Sequence, residues 1–281
     1  MEQKFDWQIE SRSSLINMKL KEVWGYRDLL LLLVRRDFVS FYKQTILGPL
    51  WFFLQPLLTT IMFTFVFGKL GGFKTDGLPQ PLFYMAGVTA WNYFADCLTK
   101  TSTVFRDNAN IFGKVYFPRL IMPLSIVMSN LVKFGVQMLM FLLMMGYYIF
   151  IKKETCFPNV YVLLFPFLIF LMALLGLGTG MMISAMTTKY RDLAFLVTFG
   201  VQLLMYATTV VYPLSAVSSD LIWVVKLNPM TSIIETFRFG FLGNATFDWL
   251  SLGFSFLFSI MVLLFGVITF SKVEKTFIDT V

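Results

Sequence analysis

The 281-residue sequence contains no histidine and only two cysteines. Histidine is the commonest metal ligand and the usual general base near neutral pH, so its absence argues against the enzymes that depend on it. The cysteines, Cys97 and Cys156, lack the spacing of a metal site. We expect no disulfide between them, because the topology predicted below puts them at different depths in a membrane.

Charge is also scarce. Asp, Glu, Lys and Arg make up 14% of the residues, whereas hydrophobic residues make up 57%. Soluble domains carry about 25% charged residues, so the composition indicates a membrane protein. Residues 1–28 are polar and basic and lack the apolar core of a cleavable signal. We therefore expect the first span to remain as a membrane anchor.

The sequence lacks the nucleotide-binding loop G-x-x-x-x-G-K-[ST]. Lys69 and Lys114 each follow a glycine, but the next residues are Leu70 and Val115 rather than Ser or Thr. No zinc-binding helix motif and no nucleophile elbow is present either. The sequence therefore predicts a chain without a cofactor or enzyme activity, and a pump built on it would need a separate ATPase.

Six segments are apolar enough to cross a membrane, for which about 20 residues are needed. We place them near residues 50–68, 82–103, 120–150, 161–187, 193–217 and 250–270. The third is too long for one straight crossing, so we expect a short interfacial helix that ends near Ser125, where the crossing begins. The sequence thus predicts a single all-α membrane domain, residues 1–281, with six transmembrane helices.

The distribution of the 23 Lys and Arg residues predicts the orientation. Most of them lie before the first span, between spans two and three, between spans four and five, or after the last span. By the positive-inside rule both termini are then cytosolic. Lys226 and Arg238 fall among the fewer loop cations on the outer side, and Lys152 and Lys153 argue mildly for the opposite orientation.

Residues 1–49 are predicted to form a cytosolic N-terminus and an amphipathic interfacial helix. The cations Arg35, Arg36 and Lys43 alternate with apolar side chains, which is typical of a helix lying in the plane of the membrane surface. Gly48 and Pro49 then turn the chain into the first span. The alternative is a flank that only sets the topology.

Two short apolar pieces, residues 221–225 and 233–241, precede the last span and are separated by Leu227, Asn228 and Pro229. Broken helices occur at membrane depth where protein or a water-filled cavity satisfies the backbone. We therefore predict an extracytoplasmic re-entrant region, residues 218–247, built from two half-helices. The alternative is an ordinary folded loop.

Three ionisable residues, Asp96, Lys100 and Lys133, lie within or beside predicted spans. Such residues are costly in a membrane and are candidates for function. Asp96 and Lys133 are predicted at similar depths, so we expect an intramembrane ion pair of Asp96 with Lys133 or Lys100. Separate extension of the side chains into water and contact with a substrate are the alternatives.

Several short motifs occur in order along the chain. They are Arg36-Asp37, Tyr42-Lys43-Gln44-Thr45, Leu47-Gly48, Leu50-Trp51, Leu54-Gln55-Pro56, Val115-Tyr116-Phe117-Pro118-Arg119, Tyr190-Arg191-Asp192-Leu193 and Leu227-Asn228-Pro229. This ordered set resembles the ABC-2 type permeases that export polysaccharides, which are the membrane subunits of O-antigen, capsule and teichoic-acid exporters.

The resemblance implies a homodimer in the bacterial cytoplasmic (inner) membrane, bound to two copies of a cytosolic ABC ATPase that holds ATP and Mg²⁺. It implies no nucleic-acid partner. The substrate of such permeases is a polysaccharide linked to polyprenyl diphosphate. Arg35, Arg36 and Lys43 are then candidate ligands for the diphosphate, because charge-assisted contacts to phosphate favour arginine.

The two cytosolic connections, residues 106–119 and 188–192, are the candidate ATPase-coupling elements. The residues predicted to act there are Ile111, Phe112, Tyr116, Lys189, Arg191 and Asp192. The first three offer apolar side chains to a groove on the ATPase, and the others form a charged cluster. The alternative is that the cations only set the topology.

Four aromatic residues, Trp91, Tyr93, Tyr206 and Tyr212, are candidates for the lining of a translocation path, because aromatic faces suit the apolar faces of sugar rings. Core packing is the alternative for each. An ABC-2 permease for a drug or a small lipid is the main competing function. A membrane-embedded lipid enzyme is disfavoured without paired carboxylates, and a secondary transporter without internal repeats.

Overall fold

The computed structural model of the protein describes residues 20–43, 46–112, 117–154 and 156–277. Every regular element within these ranges is helical, which confirms the all-α fold class. The α-helices are α1 Leu20–Gly25, α2 Arg27–Tyr42, α3 Trp51–Phe63, α4 Gln80–Ser102, α5 Val104–Asp107, α6 Ala109–Phe112, α7 Ile121–Phe150, α8 Phe165–Thr187, α9 Leu193–Tyr206, α10 Ile222–Leu227, α11 Pro229–Leu242 and α12 Trp249–Phe277. Short 3-10 turns at Gly48–Leu50, Val160–Leu164 and Leu214–Ala216 and a π-helical stretch at Thr64–Leu70 complete the regular structure.

Four helical stretches of the described chain are long and apolar enough to cross a membrane. They are Gly48–Leu70, Ile121–Phe150, Val160–Thr187 and Trp249–Val273. They agree with the predicted spans near 50–68, 120–150, 161–187 and 250–270, and the protein is therefore a multi-pass membrane protein. The predicted break near Ser125 is wrong, because α7 is one helix of 30 residues. Pro123 does not interrupt it, since the first turn of a helix does not need the missing N–H.

Helix α4 occupies the position of the predicted second span but lies in the centre of the fold. It packs against α3, α7, α8, α9 and α11. Most of its residues are buried, and Leu82 and Ala86 are fully so. Asn92, Asp96 and Lys100 lower its mean hydropathy, which explains why α4 is long enough to span a membrane but less apolar than the four spans above.

The predicted fifth span, residues 193–217, is too long. Helix α9 ends at Tyr206 after 14 residues, which corresponds to a length of about 21 Å at 1.5 Å per residue. The chain then continues without regular structure through the β-branched residues Thr208, Thr209, Val210 and Val211, all of which are buried. A buried irregular backbone needs hydrogen-bond partners from elsewhere in the fold.

Helices α10 and α11 occupy the region in which two short pieces are predicted. Asn228 separates them: its side chain accepts a hydrogen bond from Met230 N (3.0 Å) and donates one to Thr208 Oγ1 (2.8 Å). Pro229 takes the first helical position, where proline is favoured. Nearly all of α11 is buried, and it packs against α12, α4 and α8.

Helix α2, Arg27–Tyr42, lies within the 1–49 region in which an interfacial helix is predicted, and it packs against α7 through buried Leu33. The predicted turn at Gly48-Pro49 is present as a 3-10 turn that leads into α3. Gly48 has a φ of 49°, a left-handed conformation that glycine adopts without steric cost.

Three glycines on α8 allow close contact with two neighbouring helices. An added Cβ at Gly176 would lie 2.6 Å from Cys97 Cβ on α4, and one at Gly178 would lie 2.8 Å from Leu263 Cα on α12. Gly180, four residues after Gly176, again faces α4. Small residues with this spacing allow the close backbone approach that packs membrane helices together.

Candidate functional site

Polar side chains of α4 and α7 face each other along the interface between these helices. Asp96 Oδ2 lies 2.7 Å from Lys133 Nζ, which places the predicted pair in direct contact. One turn nearer the cytosolic end in the predicted orientation, Lys100 Nζ donates to Asn130 Oδ1 at 2.7 Å. The two lysines therefore bind partners on the opposite helix.

Two further contacts extend this row. Asn92 Nδ2 donates to Gln137 Oε1 at 3.5 Å at one end, and Ser129 Oγ donates to Asp37 Oδ2 at 3.3 Å at the other. The α4 members, at positions 92, 96 and 100, are four residues apart and therefore share one face of that helix. Their partners on α7, at positions 137, 133 and 130, follow in the reverse order, so the two faces meet side by side. We call these four contacts the polar ladder: Asn92–Gln137, Asp96–Lys133, Lys100–Asn130 and Asp37–Ser129.

The polar ladder is buried on one edge and accessible on the other. Asn130 and Gln137 are buried, whereas the side chains of Asp96 and Lys133 keep 26% and 13% of their accessible surface. Gln137 Nε2 is buried and has no hydrogen-bond partner within the part of the chain that the structure describes. The ladder thus presents several polar atoms to the space beside α4.

A second polar centre surrounds Arg238 on α11, which is fully buried. Its guanidinium donates to the backbone oxygens of Thr209, Val210 (2.9 Å) and Phe83 (3.2 Å), and it lies over the Phe83 ring. Arg238 also lies 3.3 Å from the carboxylate of Glu235. The arginine therefore supplies the hydrogen bonds that the irregular chain after α9 requires.

Glycine at position 87 of α4 makes room for the guanidinium. A Cβ added to Gly87 would lie 2.6 Å from Arg238 Nη2 and 3.0 Å from Val210 O. Glu235 completes the centre by accepting hydrogen bonds from Thr246 N (3.4 Å) and Thr246 Oγ1 (3.2 Å). The centre joins α4, the segment after α9, α11 and the segment before α12.

The centre also changes the interpretation of Arg238. The sequence pattern placed it among the exposed loop cations of the outer side, but the structure buries it completely. Sequence reasoning missed both Arg238 and Glu235 as members of a site. Their three-residue separation within the apolar run Met230–Leu242 is the signal that identifies a buried pair on one helical face.

The first cytosolic connection packs into the chain itself. Phe112 is 7% exposed and stacks on Phe117, with ring centroids 5.8 Å apart, while the Arg119 guanidinium lies 5.5 Å from the Phe112 ring. Phe112 is therefore buried within the chain in this structure, and its insertion into a groove on an ATPase stays a prediction. Ile111 is half-buried against the same cluster, and Tyr116 lies outside the described residues.

The second connection is exposed. Lys189, Tyr190, Arg191 and Asp192 all lie on the surface between α8 and α9, and Lys189 Nζ lies 5.2 Å from the Tyr190 ring. The charged cluster predicted here is thus accessible to a protein partner. On α2, Arg35, Arg36 and the following Lys43 are likewise exposed.

Arg36 forms a short contact with its neighbour: its Nη2 lies 2.7 Å from Asp37 Oδ1. Asp37 is also the first member of the polar ladder. Arg36 therefore lies directly beside the end of the ladder.

Two of the four aromatic residues predicted to line a path are core residues. Trp91 and Tyr93 are 2% and 3% exposed, and they pack against Phe94 and Phe134. In this structure both side chains pack inside the protein, and their part in a path stays a prediction. Tyr206, at the end of α9, is exposed, and Tyr212 is half-buried.

Comparison with known proteins gives a consistent result. The sequence model of the family described as ABC-2 type transporter matches residues 28–242. The chain is similar to the O-antigen export system permease protein RfbA of Myxococcus xanthus, with 29% identity over 78% of this chain and 82% of that protein. It is also similar to a protein of the same name from Klebsiella pneumoniae, with 26% identity over 94% of this chain and 99% of that protein.

Proposed function

The chain belongs to the ABC-2 type transporter family, and from this membership we propose that it is the permease subunit of an ATP-driven polysaccharide exporter. The substrate of this exporter is a polysaccharide linked to polyprenyl diphosphate, such as an O-antigen, a capsule or a teichoic-acid chain. The chain is a transport subunit, and a separate ABC ATPase binds ATP and Mg²⁺ and supplies the energy.

One observation carries this proposal. The similarity to O-antigen export permeases extends over 94% of this chain and 99% of the relative from Klebsiella pneumoniae. A match of that extent covers the spans and both cytosolic connections rather than one motif. The absence of a nucleotide-binding loop from the sequence agrees with a division of labour between a permease and an ATPase.

In the proposed arrangement the chain is a homodimer in the bacterial inner membrane, with both termini in the cytosol. Helices α3, α4, α7, α8, α9 and α12 are the six crossings. Helices α10 and α11 form a re-entrant element at the outer side, held to α4 by Arg238. Tyr206 is exposed and Tyr212 is half-buried, so these two are the aromatic candidates for the path that keep accessible surface.

The exposed cations of α2 suit the head group of the substrate. Arg35 and Arg36 lie on α2, which packs against the membrane-spanning α7, and Lys43 directly follows this helix. Their charges can therefore meet a diphosphate at the cytosolic surface. Contacts between arginine and phosphate are short and charge-assisted. We assign to these three residues the first binding of the lipid diphosphate.

The exposed connection between α8 and α9 suits the ATPase. Lys189, Arg191 and Asp192 carry charges of both signs on a short segment between two helices. A segment of this kind can transmit the movement of a docked ATPase to both α8 and α9. The connection at 106–112 instead packs against the helices through a buried aromatic cluster that includes Phe105, Phe112 and Phe117.

The test is reconstitution of the chain in nanodiscs with its partner ABC ATPase. We expect the two to co-purify and ATP turnover to rise when the lipid-linked polysaccharide is added. The double variant Arg35→Ala/Arg36→Ala should keep the complex but lose most of this stimulation. Lys74→Ala, which removes an exposed cation on the outer side, is the matched control and should behave as the parent.

Stimulation by a drug or by a short-chain lipid, without a response to the polysaccharide, would assign the chain to a different export function. Transport by the purified chain without any ATPase would contradict the proposal altogether.

A further inference from the structure

We propose that the polar ladder between α4 and α7 lines a water-filled vestibule that opens to the cytosol and receives the sugar hydroxyl groups of the exported chain. The burial and contacts of the ladder side chains support the vestibule. The identity of the occupant rests on the proposed function.

The ladder lies within the thickness of the membrane. Asp96 is six residues from the end of α4 at Ser102, and Asn92 is ten residues from it. At 1.5 Å per residue these separations correspond to about 9 Å and about 15 Å along the helix. The hydrocarbon core is about 30 Å thick, so the ladder extends from its cytosolic edge to near its centre.

A comparison of two ion pairs within the helical fold indicates what the ladder faces. The Arg238–Glu235 pair is sealed, with side-chain exposures of 0% and 4%. The Asp96–Lys133 pair is open, with 26% and 13%. A charged side chain that is open at membrane depth faces water or protein rather than lipid, because exposure to hydrocarbon is costly.

The second reason is the unmet hydrogen-bonding capacity of the ladder. Gln137 Nε2, at the deep end, is buried and lacks a partner within the described chain. A buried donor without a partner costs about 1–3 kcal/mol. Water or a sugar hydroxyl beside Asn92 and Gln137 would remove that cost.

The chemistry of the ladder suits a polyhydroxylated chain. Carboxylate and amide oxygens accept hydrogen bonds, while ammonium, amide and hydroxyl groups donate them. A sugar hydroxyl does both, so it can bind at successive positions. The ladder also begins at Asp37, next to Arg36, so a diphosphate held on α2 would leave its first sugars at the vestibule entrance.

The test uses thiol accessibility, for which the chain is well suited because both native cysteines, Cys97 and Cys156, are buried. Single variants Ser129→Cys and Asn92→Cys place a thiol at the shallow end and the deep end of the ladder. Leu143→Cys places one on the apolar outer face of α7, where Leu143 is 67% exposed. The complex with its ATPase is treated with a charged, membrane-impermeant thiol reagent from the cytosolic side.

We expect both ladder thiols to react at least about tenfold faster than the Leu143→Cys thiol, because a thiolate forms in water and not in hydrocarbon. Addition of the lipid-linked polysaccharide should slow the labelling of Asn92→Cys. The parent protein reports any reaction of the native cysteines.

The outcomes separate the two ideas. If the ladder thiols react no faster than the Leu143→Cys thiol while the parent complex exports the polysaccharide, the vestibule is refuted and the export function stands. If they react but the polysaccharide gives no protection while stimulating ATP turnover, the sugar is refuted as the occupant. If the polysaccharide neither stimulates turnover nor protects, the proposed export function fails, whatever the labelling rates.

Discussion

The guanidinium carbon of Arg238 lies 3.6 Å from the centroid of the Phe83 ring. This short distance brings a cation of α11 onto the aromatic face of α4, where it also donates to three backbone oxygens. Through these contacts the buried arginine ties α11 to α4 and to the point at which the chain leaves α9.

The first prediction concerns this arginine. Arg238→Met should destabilise the protein by about 3–5 kcal/mol, because Glu235 would be left buried without its charge partner and the backbone oxygens after α9 would lose their donors. The apparent melting temperature in nanodiscs measures the loss. The control Lys226→Met removes an exposed cation 3.8 Å from Asp248 and should cost less than about 1 kcal/mol.

The second prediction concerns the space beside Arg238. Gly87→Ala should lower the melting temperature, since its Cβ would lie 2.6 Å from Arg238 Nη2. Gly135→Ala on α7 meets nothing within 4 Å and should stabilise its helix by about 1 kcal/mol. Both substitutions gain the same helix propensity, so their difference isolates the clash. Equal melting temperatures would mean that the arginine moves aside without cost.

The third prediction concerns the Asp96–Lys133 pair. Asp96→Asn and Lys133→Met should each lower stability, and the double variant should be more stable than the sum of the two losses predicts. The coupling energy should be about 1–2 kcal/mol, as for polar contacts between membrane helices. A double-mutant cycle of unfolding free energies measures it. Additive losses would show that the two helices do not depend on this contact.

The fourth prediction separates the two cytosolic connections. Phe112→Ala should destabilise the permease by about 3–5 kcal/mol, because it empties part of a buried aromatic cluster. Arg191→Glu should leave stability within about 0.5 kcal/mol of the parent, as is usual for surface substitutions.

The same two variants should differ in the binding of the ATPase. Arg191→Glu should weaken co-purification with the ATPase, whereas Lys74→Glu, which makes the same charge change on the outer side, should not. Co-purification unaffected by Arg191→Glu would exclude this connection as a docking element.

The sequence was informative for structural features that depend on a single helix or turn. Long apolar windows located α3, α7, α8 and α12, because length and hydropathy are local properties. The contact between Asp96 and Lys133 was also within reach, since equal depth on two adjacent spans brings side chains together. The turn at Gly48-Pro49 followed from the conformational preferences of two residues.

Tertiary contacts decided the rest. The end of α9 depends on Arg238, which is 28 residues further along the chain than Val210, so no local pattern reveals it. Trp91 and Tyr93 were assigned to a path because their chemistry suits sugars, but in the structure both are buried against neighbouring helices. Phe112 was assigned to a contact with a partner protein because its side chain is apolar. In the structure it stacks on Phe117 of the same chain.

The missing side chain at Gly87 has an evolutionary consequence. A guanidinium at position 238 requires the absence of a Cβ at position 87, so neither residue is free to vary alone. Among homologous permeases, glycine at 87 and arginine at 238 should be inherited as a pair, and lineages that enlarge one position should have replaced the other.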